Sequence, residues 1–262
     1  MNIIIQSAEA IERMRIAGRL AAAVLEMIAP YVVPGVTTEA LDQRCHHYMV
    51  QQQQAQSACL GYQGFPKAVC ISVNEVVCHG IPSERRLKAG DIVNIDVTVI
   101  KDGFHGDTSK MFFVGPPSIL AQRLCRITQQ SLYRAIELVR PQLPLGDIGR
   151  IIQPLVEVEG FTVVREYCGH GIGQQFHEAP QVLHYDAEDG GVLLQPGMIF
   201  TIEPMVNAGK AAIKLMKDGW TVKTKDHSLS AQYEHTVLVT RDGCEILTWR
   251  PEEPVPRVLT HA

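Results

Sequence analysis

The chain has 262 residues, of which 46% are hydrophobic and 20% are charged, and its formal net charge is −4 at pH 7. These values are ordinary for a globular protein with its own core, and the negative charge gives no reason to expect a DNA partner. No apolar stretch reaches the length of a membrane span, and the N-terminus lacks the basic region of a signal peptide. The seven cysteines include no Cys-x-x-Cys pair, which is typical of a reducing compartment. We therefore expect a cytoplasmic protein without a membrane anchor. A monomer is expected as well.

Two helices are predicted near the start of the chain. Ser7 is suited to cap the first helix, whose apolar residues are Ile11, Met14, Ile16, Leu20, Val24 and Ile28. Thr37 or Thr38 is suited to cap a second helix from Glu39 to about Gln54. The glutamine run at its end is interpreted as a solvent-exposed face.

Strands, then two helices and then further strands are predicted along the rest of the chain. Strands are predicted over 68–73, 92–100 and 104–114, helices over 119–139 and 147–159, and further strands up to about Leu247. The proline-containing tail from Arg250 to Ala262 is predicted to be a non-repetitive end. Because no flexible linker divides the chain, we predict a single α/β domain over residues 1–262.

An acid stands inside an apolar strand at Asn94-Ile95-Asp96-Val97. Burying an ionised carboxylate there is costly unless a cation or a hydrogen-bond donor offsets the lost hydration. Asp102-Gly103 then reverses the chain, because Asp-Gly is a strong hairpin signal. Asp107 should therefore lie close to cross-strand register with Asp96 on one face. Two carboxylates that close repel each other unless metal lies between them.

A second segment repeats the pattern of the first. Residues 87–96 and 194–203 share Leu, Gly, Ile and Ile at matching positions, and both end in an acid. The helical stretches 19–28 and 126–139 resemble each other at a similar offset. We interpret this as a diverged internal repeat, roughly 7–115 and 118–247, with chance similarity of two buried strands as the alternative. Two related halves would each deliver acids to a shared centre.

Four acids and one histidine stand at strand ends or glycine-rich turns. Carboxylate and imidazole ligands suit Mn, Fe, Co or Zn and favour a catalytic site over a thiolate-type structural site. Their combined negative charge is enough for two divalent ions, which would activate a water. The five residues are Asp96, Asp107, His170, Glu203 and Glu234.

The surroundings of His170 carry a resemblance to a known family. Glycines on both sides of this histidine let backbone and substrate approach closely. Gly169-His170-Gly171-Ile172-Gly173 is followed by His177 and by Val182-Leu183-His184-Tyr185, and further blocks are Gly106-Asp107-Thr108, Ile202-Glu203-Pro204 and Tyr233-Glu234-His235-Thr236. Together these blocks, which cover nearly the whole chain, resemble type I methionine aminopeptidases in their compact bacterial form.

The resemblance implies the pita-bread fold, with two pseudo-symmetric halves around a central dinuclear metal site. It implies removal of the N-terminal methionine from nascent proteins and peptides whose second residue is small and uncharged. Asp107 and Glu234 would bridge two divalent ions, of Co, Mn, Fe, Zn or Ni. His170 and Glu203 would complete one metal site, and Asp96 would complete the other.

The resemblance also implies roles beside the metals. His79 would contact the backbone nitrogen of the scissile bond, His177 would stabilise the oxyanion, and Glu203 would also shuttle a proton. A monovalent cation, Na or K, would be held by carbonyls near Asn74, Val76 and Ser230. Four other histidines are interpreted as structural, namely His46, His47, His184 and His261. His105, on the strand face of Asp107, has no assigned role.

Six residues occupy positions that line the thioether-sized pocket in the family, with plain core packing as the alternative: Cys59, Tyr62, Phe65, Cys70, Phe176 and Trp220. Sulfur and aromatic rings suit a methionine side chain. Phe65 stands where many bacterial relatives carry tyrosine or histidine, and Ala179 replaces the acid or proline common before Pro180. These departures concern fine specificity and not the chemistry.

Five lysines fall close together near the turn Asp218-Gly219, namely Lys210, Lys214, Lys217, Lys223 and Lys225. They are either a solvated face or a docking patch for ribosomal RNA, which would suit an enzyme that acts on nascent chains.

Three other functions stay open. A prolidase or Xaa-Pro aminopeptidase shares the fold and ligands but generally carries a further N-terminal domain. A non-catalytic binding protein on this fold typically loses metal ligands. A thiol hydrolase using Cys78 and His79 is disfavoured because adjacent residues on a strand point to opposite faces.

Overall fold

The computed structural model describes residues 3–261, so Met1, Asn2 and Ala262 of the predicted 1–262 domain lie outside the described residues. The α-helices are α1 (Ala8–Ile28), α2 (Thr38–His47), α3 (Ile119–Leu138) and α4 (Asp147–Glu157). The strands are β1 (Gln56–Ser57), β2 (Cys70–Val73), β3 (Val76–Cys78), β4 (Ile92–Lys101), β5 (Phe104–Phe113), β6 (Thr162–Val163), β7 (Gly169–Gly171), β8 (Glu178–Val182), β9 (Ile199–Ile202), β10 (Met205–Asn207), β11 (Ile213–Leu215), β12 (Val222–Thr224), β13 (Ser230–Gln232), β14 (His235–Val239), β15 (Gly243–Ile246) and β16 (Val258–Thr260).

The first helix begins where it was predicted, since the Ser7 hydroxyl accepts a hydrogen bond from the Ala10 N–H at 3.2 Å. Of the apolar residues of this helix, Ile16 does not face the core, since it is 50% exposed. Ile16 follows Met14 by only two positions, and residues with that spacing do not share a helix face. Met14, by contrast, is fully buried.

The second helix is capped by Thr37, whose hydroxyl accepts from the Ala40 N–H at 3.1 Å. The α-helix ends at His47, short of the predicted Gln54, and one π turn over Tyr48–Gln52 follows. Gln51, Gln52 and Gln54 are exposed, as predicted, but the prediction is wrong for Gln53, which is half-buried and donates from Nε2 to the Leu20 carbonyl at 2.8 Å.

Strand β2 begins at Cys70 and not at residue 68. The N–H groups of Ala68 and Val69 both donate to Asp42 Oδ1, at 2.8 and 3.0 Å, so they are not available to a neighbouring strand. This carboxylate therefore determines where the strand starts.

All strand pairings are antiparallel. A four-stranded sheet has β4 at its centre, with β1 and β2 on one edge and β5 on the other. A six-stranded sheet has the order β16-β15-β14-β9-β7-β8, and two three-stranded sheets have the orders β13-β10-β6 and β11-β12-β3. The prediction of a non-repetitive tail is wrong in part, since β16 pairs with β15.

Two large hydrophobic cores support these sheets. One lies among α1, α2, β2 and β4 and contains Leu25, Leu41 and Ile95. The other lies among α3, α4, β9 and β14 and contains Leu132, Ile152 and Phe200. The predicted internal repeat stays a prediction, which superposing 7–115 on 118–247 would test. No helix within residues 3–261 combines the length and apolar character that crossing a bilayer requires.

The four-stranded and six-stranded sheets meet at a seam between β5 and the start of β14. One backbone bridge, Ser109↔Glu234, joins them there. Two threonine hydroxyls add to it: Thr236 Oγ1 donates to the Asp107 carbonyl at 2.8 Å, and Thr108 Oγ1 donates to the Glu234 carbonyl at 2.7 Å. Side chains therefore contribute much of the connection at the seam.

Candidate metal centre

The hairpin β4–β5 places two acids on one face, as predicted. Asp102 and Gly103 both have positive φ, 50° and 80°, which is typical of a tight hairpin turn. The register pairs Thr98 with Asp107 and Asp96 with Ser109. Asp96 and Asp107 are therefore diagonal neighbours, close enough for their carboxylates to contact the same cation.

The six-stranded sheet brings two more acids to this face. His235 pairs with Ile202, so Glu203 follows the end of β9 beside Glu234, which precedes β14. The Glu234 N–H donates to the Ser109 carbonyl at 3.1 Å, which joins this pair of acids to the hairpin. All four carboxylates face one cavity.

His170 lies on β7 between two glycines that have no room for a side chain. A Cβ on Gly169 would collide with the Thr201 carbonyl, and one on Gly171 with the Ala179 carbonyl. The His170 Nδ1 lies 2.9 Å from the Gly171 carbonyl, to which it donates in the tautomer that leaves Nε2 free. That Nε2 is 3.7 Å from both Asp107 Oδ2 and Glu203 Oε1.

Electrostatics make this cluster suited to cations. Burial raises the pKa of Asp96 to about 7 and that of Glu203 to about 8. Burial and the neighbouring carboxylates raise the pKa values of Asp107 and Glu234 well above the ordinary range. Burial, together with nearby His177, lowers the pKa of His170 to about 3, so its ring is a neutral ligand near pH 7.

A bound cation would therefore stabilise the ionised form of these buried acids. Ligand atoms of Asp107, His170 and Glu234 all lie within 4.8 Å of one another. Four carboxylates and one neutral imidazole form a donor set suited to borderline divalent ions. The residues present thus fit a metal centre.

Two further histidines lie beside the cluster, as predicted. The ring of His177 lies 4.3 Å from the ring of His170, and its Nδ1 is 2.8 Å from the Tyr62 hydroxyl. His79 has a positive φ of 54° and packs edge-on against Tyr167. Burial, followed by the effect of His177, lowers the pKa of His79 to about 4, so the ring is neutral near pH 7.

An apolar wall adjoins these histidines in the same cavity, whose volume is about 490 Å³. All six residues predicted for the pocket line it: Cys59, Tyr62, Phe65, Cys70, Phe176 and Trp220. Phe65 is buried and meets Trp220 edge-on at 5.1 Å. Tyr62 contacts both Phe176, with ring centroids 4.9 Å apart, and His177. Ala179 does not line the cavity.

His184, which was interpreted as structural, supports the backbone of Glu203. Its Nε2 accepts a hydrogen bond from the Glu203 N–H at 3.0 Å. Full burial lowers the pKa of His184 to about 3, so the ring stays neutral and can accept. The only signal in the sequence was its place in the Val-Leu-His-Tyr block.

His105, which had no assigned role, anchors the segment that carries His177. Its Nδ1 lies 3.0 Å from the Gly173 carbonyl, and its ring stacks on Phe176, which in turn stacks on His177. Of the other histidines interpreted as structural, His46, His47 and His261 do not line the cavity.

Hydroxyl and amide groups that sequence reasoning missed hold the acids. Thr98 Oγ1 donates to Asp107 Oδ1 at 2.8 Å. Thr201 Oγ1 donates to Glu203 Oε1 at 2.8 Å, and Gln232 Nε2 donates to Glu203 Oε2 at 3.2 Å. Such contacts fix the orientation of ligands.

The residues predicted around a monovalent cation also come together. The Ser230 N–H donates to the Asn74 carbonyl at 2.9 Å, and Val76 lies on β3 just beyond. The Asn74 side chain is held by Asp91 at 2.9 Å, so this bend is well supported.

Four of the five clustered lysines project from the hairpin β11–β12 and its flanks, as predicted: Lys210, Lys214, Lys217 and Lys225. The prediction is wrong for Lys223, which is half-buried and pairs with Glu75 at 2.8 Å. Its charge is therefore already balanced.

Comparisons with known proteins agree with this arrangement. The model of metallopeptidase family M24 matches residues 12–241. A methionine aminopeptidase of Salmonella typhimurium is 68% identical over 262 residues, which are 100% of this chain and 99% of the relative. The crystal structure of a methionine aminopeptidase from Rickettsia prowazekii is 51% identical with a TM-score of 0.93, and the match covers 95% of this chain and 100% of that one. The prolidase from Pyrococcus furiosus shares the fold, with a TM-score of 0.75 at 21% identity, over 95% of this chain and 66% of the prolidase.

Proposed function

The chain belongs to metallopeptidase family M24 and has its pita-bread fold, and we propose that it removes the N-terminal methionine from nascent proteins and peptides whose second residue is small and uncharged. The observation that carries this proposal is one cavity in which a cluster of carboxylates and histidines meets a sulfur-lined and aromatic wall. Relatives 67–68% identical over the whole chain are named methionine aminopeptidase.

Asp107 and Glu234 would bridge two divalent ions, His170 and Glu203 would complete one site, and Asp96 would complete the other. Co, Mn, Fe, Zn or Ni would each suit this donor set. Bound there, such ions lower the pKa of a water and polarise a carbonyl.

The neighbouring side chains have separate tasks in this proposal. With Tyr62 donating to Nδ1, the His177 ring carries its proton on Nε2 and can donate it as a hydrogen bond to the oxyanion. His79, on the other side of the cavity, would contact the nitrogen of the scissile bond. Glu203 would accept a proton and return it to the leaving amine.

The proposed preference for methionine follows from the residues of the apolar cavity wall. Cys59, Cys70 and the rings of Phe65 and Trp220 offer polarizable contacts to a thioether. Because one methylene discriminates by only ~1–3 kcal/mol, norleucine peptides should be cleaved slowly but measurably.

The test is hydrolysis of Met-Gly and Met-Arg peptides before and after chelation. We expect chelation to abolish cleavage, Mn, Fe or Co to restore it, and Met-Gly to be strongly preferred. Full activity in a preparation shown to be metal-free by elemental analysis would overturn the proposal, as would a preference for Xaa-Pro peptides.

The alternatives are less well supported. The likeness to prolidase and Xaa-Pro dipeptidase structures is at 21–22% identity, which concerns the fold alone. A binding protein without catalysis would not need five intact ligands. A thiol hydrolase would need a thiolate, but burial, together with Glu203 and Asp96, raises the pKa of Cys78 well above its ordinary value.

A monovalent cation, Na or K, is proposed near Asn74, Val76 and Ser230. The support is the close approach of the Asn74 carbonyl to Ser230. A dependence of stability on K concentration, absent with choline chloride at equal ionic strength, would test it.

Ribosome docking is proposed through the exposed lysines on and beside the hairpin β11–β12: Lys210, Lys214, Lys217 and Lys225. Each phosphate neutralised adds ~0.7–0.9 to the slope of log affinity against log salt. Changing all four lysines to glutamate should weaken ribosome co-sedimentation and leave tripeptide cleavage unchanged. The matched control makes the same charge change at exposed residues elsewhere, namely Arg85, Lys88, Arg126 and Arg140. Equal co-sedimentation of the two variants would contradict docking.

A cytoplasmic location is proposed because all seven cysteines are free thiols, as expected in a reducing compartment. We also propose a monomer of one catalytic domain over 1–262. Light scattering after gel filtration would test the monomer, and fractionation of cells would test the location.

A further inference from the structure

A buried ion pair lies behind the seam, on the side away from the cavity. Arg250 is only 1% exposed, and its Nη2 pairs with Glu253 Oε1. Burying a guanidinium and a carboxylate costs desolvation energy that a well-packed apolar pair would not. A stability role alone is thus a weak explanation for this pair.

The first connection from the pair runs to the Glu234 backbone. Arg250 Nη1 donates to Thr108 Oγ1 at 2.9 Å, and that hydroxyl donates to the Glu234 carbonyl at 2.7 Å. Thr108 is also the residue after Asp107. One guanidinium therefore contacts the side chain that links the two acids assigned as bridging ligands.

The second connection runs to the Asp107 backbone. Glu253 Oε2 lies 3.0 Å from His235 Nε2, and His235 Nδ1 lies 2.9 Å from Thr248 Oγ1. The Thr248 hydroxyl accepts from the Thr236 N–H at 3.1 Å, and the Thr236 hydroxyl donates to the Asp107 carbonyl at 2.8 Å.

We propose that Arg250 and Glu253 are positioning residues that set the spacing of Asp107 and Glu234, an inference that rests on the proposed metal-dependent function. Within the described residues, the only backbone bridge between β5 and the segment that leads into β14 is Ser109↔Glu234, so a backbone ladder does not fix this spacing. Metal ligands must be held to a few tenths of an ångström. The buried pair and its two connections supply the missing constraint.

The variants are Glu253→Gln and Thr108→Val, each close in shape to the parent side chain. Supporting groups behind metal ligands are typically worth ~10–100-fold in metal affinity or activity. We expect both variants to bind Mn²⁺ that much more weakly and to lose kcat, while KM for a Met-Ala-Ser peptide changes little because the pocket wall is untouched.

Glu245→Gln is the matched control. Glu245 is also buried and also binds arginines of the same region, Arg15 at 2.7 Å and Arg257 at 2.7 Å. It joins α1 to the end of the chain and makes no hydrogen bond or ion pair with Asp107, Glu234 or their connecting threonines within residues 3–261. This variant should lower the melting temperature as Glu253→Gln does, but keep Mn²⁺ affinity and kcat.

For the parent and all three variants we measure Mn²⁺ affinity by calorimetric titration into the metal-free full chain. We also measure kcat, KM and melting temperature. Loss of Mn²⁺ affinity in Glu253→Gln and Thr108→Val but not in Glu245→Gln supports the proposal. Parental affinity and kcat in Thr108→Val, the milder change, overturn it even if Glu253→Gln does not fold. A parent that binds Mn²⁺ but cleaves no methionyl peptide defeats the proposed function, whereas the affinity comparison still decides on the positioning role.

Discussion

The two pairs of carboxylates are held by different kinds of backbone. Asp96 and Asp107 lie inside the continuous β4–β5 ladder, whose register runs from the Ile92↔Phe113 pair to the Lys101↔Phe104 pair. Glu203 and Glu234 lie just beyond the short ladder of β9 and β14, which ends at Ile202↔His235. A ladder fixes side-chain spacing by itself, whereas residues outside it depend on contacts from other side chains. The second pair should therefore be the more sensitive to changes in its supporting residues.

The largest effect is expected from Glu203→Gln. The change removes a residue proposed as both metal ligand and proton acceptor, and general acid–base groups contribute ~10²–10⁴-fold. We expect kcat to fall by that factor, with weaker metal binding by calorimetry. Glu166→Gln, at the rim of the same cavity, is the control and should stay close to the parent. A parental kcat in Glu203→Gln would contradict both assigned roles.

His177→Ala separates a hydrogen-bond donor from a ligand. Loss of one oxyanion donor typically costs ~10²–10³-fold in kcat. Metal content, measured by elemental analysis, should stay at the parental value because His177 is not in the ligand cluster. His170→Ala, whose ring lies only 4.3 Å away, should instead lose metal. If His177→Ala lost metal as well, this division of roles would be wrong.

His184→Ala tests how the second pair, Glu203 and Glu234, is supported. The variant leaves the buried Glu203 N–H without its acceptor, and a supporting partner of this kind is worth ~10–100-fold in metal affinity. Calorimetric titration with Mn²⁺ measures the change, and His46→Ala serves as a control away from the cavity. An unchanged affinity would show that Glu203 is held without His184.

Two threonines give a matched test of whether an acid inside a strand ladder is held more firmly than one outside it. Thr201→Val removes the hydrogen bond to Glu203, and Thr98→Val removes the equivalent one to Asp107. One such bond to a charged group is worth ~1.5–3 kcal/mol at most, and the ladder should absorb part of the loss at Asp107. We expect the larger drop in Mn²⁺ affinity for Thr201→Val. The reverse order would show that the ladder gives no advantage.

The smallest effect is expected in the stability of metal-free protein between pH 7 and 8.5. The folded protein holds protons on Asp96 and Glu203, with pKa values of about 7 and about 8, that the unfolded chain has already released. Stability should therefore fall as pH rises through this window, since the unfolded state binds fewer protons. Metal-loaded protein should not show this fall, because divalent ions replace the protons. Melting temperatures at several pH values, with Glu203→Gln as control, measure the slope; a rising melting temperature for metal-free protein would contradict it.

The pair Asp96 and Asp107 was predictable from the sequence because both residues lie in one hairpin, whose geometry is local. Asp102-Gly103 predicts the turn. Pairing the residues on its two sides then places Asp96 and Asp107 on one face. The helix caps at Ser7 and Thr37 were predictable for the same reason.

The supporting contacts were not predictable, because they join residues far apart in the chain. Arg250 meets Thr108, and His184 meets Glu203, only after the sheets have formed. The half-buried Lys223 is another example, since its partner Glu75 directly precedes β3, which pairs with the strand β12 that carries Lys223. Helical spacing, in contrast, is sufficient to place Ile16 on a different face from Met14.

The position of Trp220 makes the cavity accessible to optical measurement. The chain has two tryptophans. Trp220 lines the cavity beside Phe65, and Trp249 donates from Nε1 to the Val255 carbonyl near the end of the chain. A Trp249→Phe protein would carry its single indole in the pocket wall. Its fluorescence would then report the entry and departure of an unlabelled peptide in real time, which gives access to individual rate constants that turnover measurements average together.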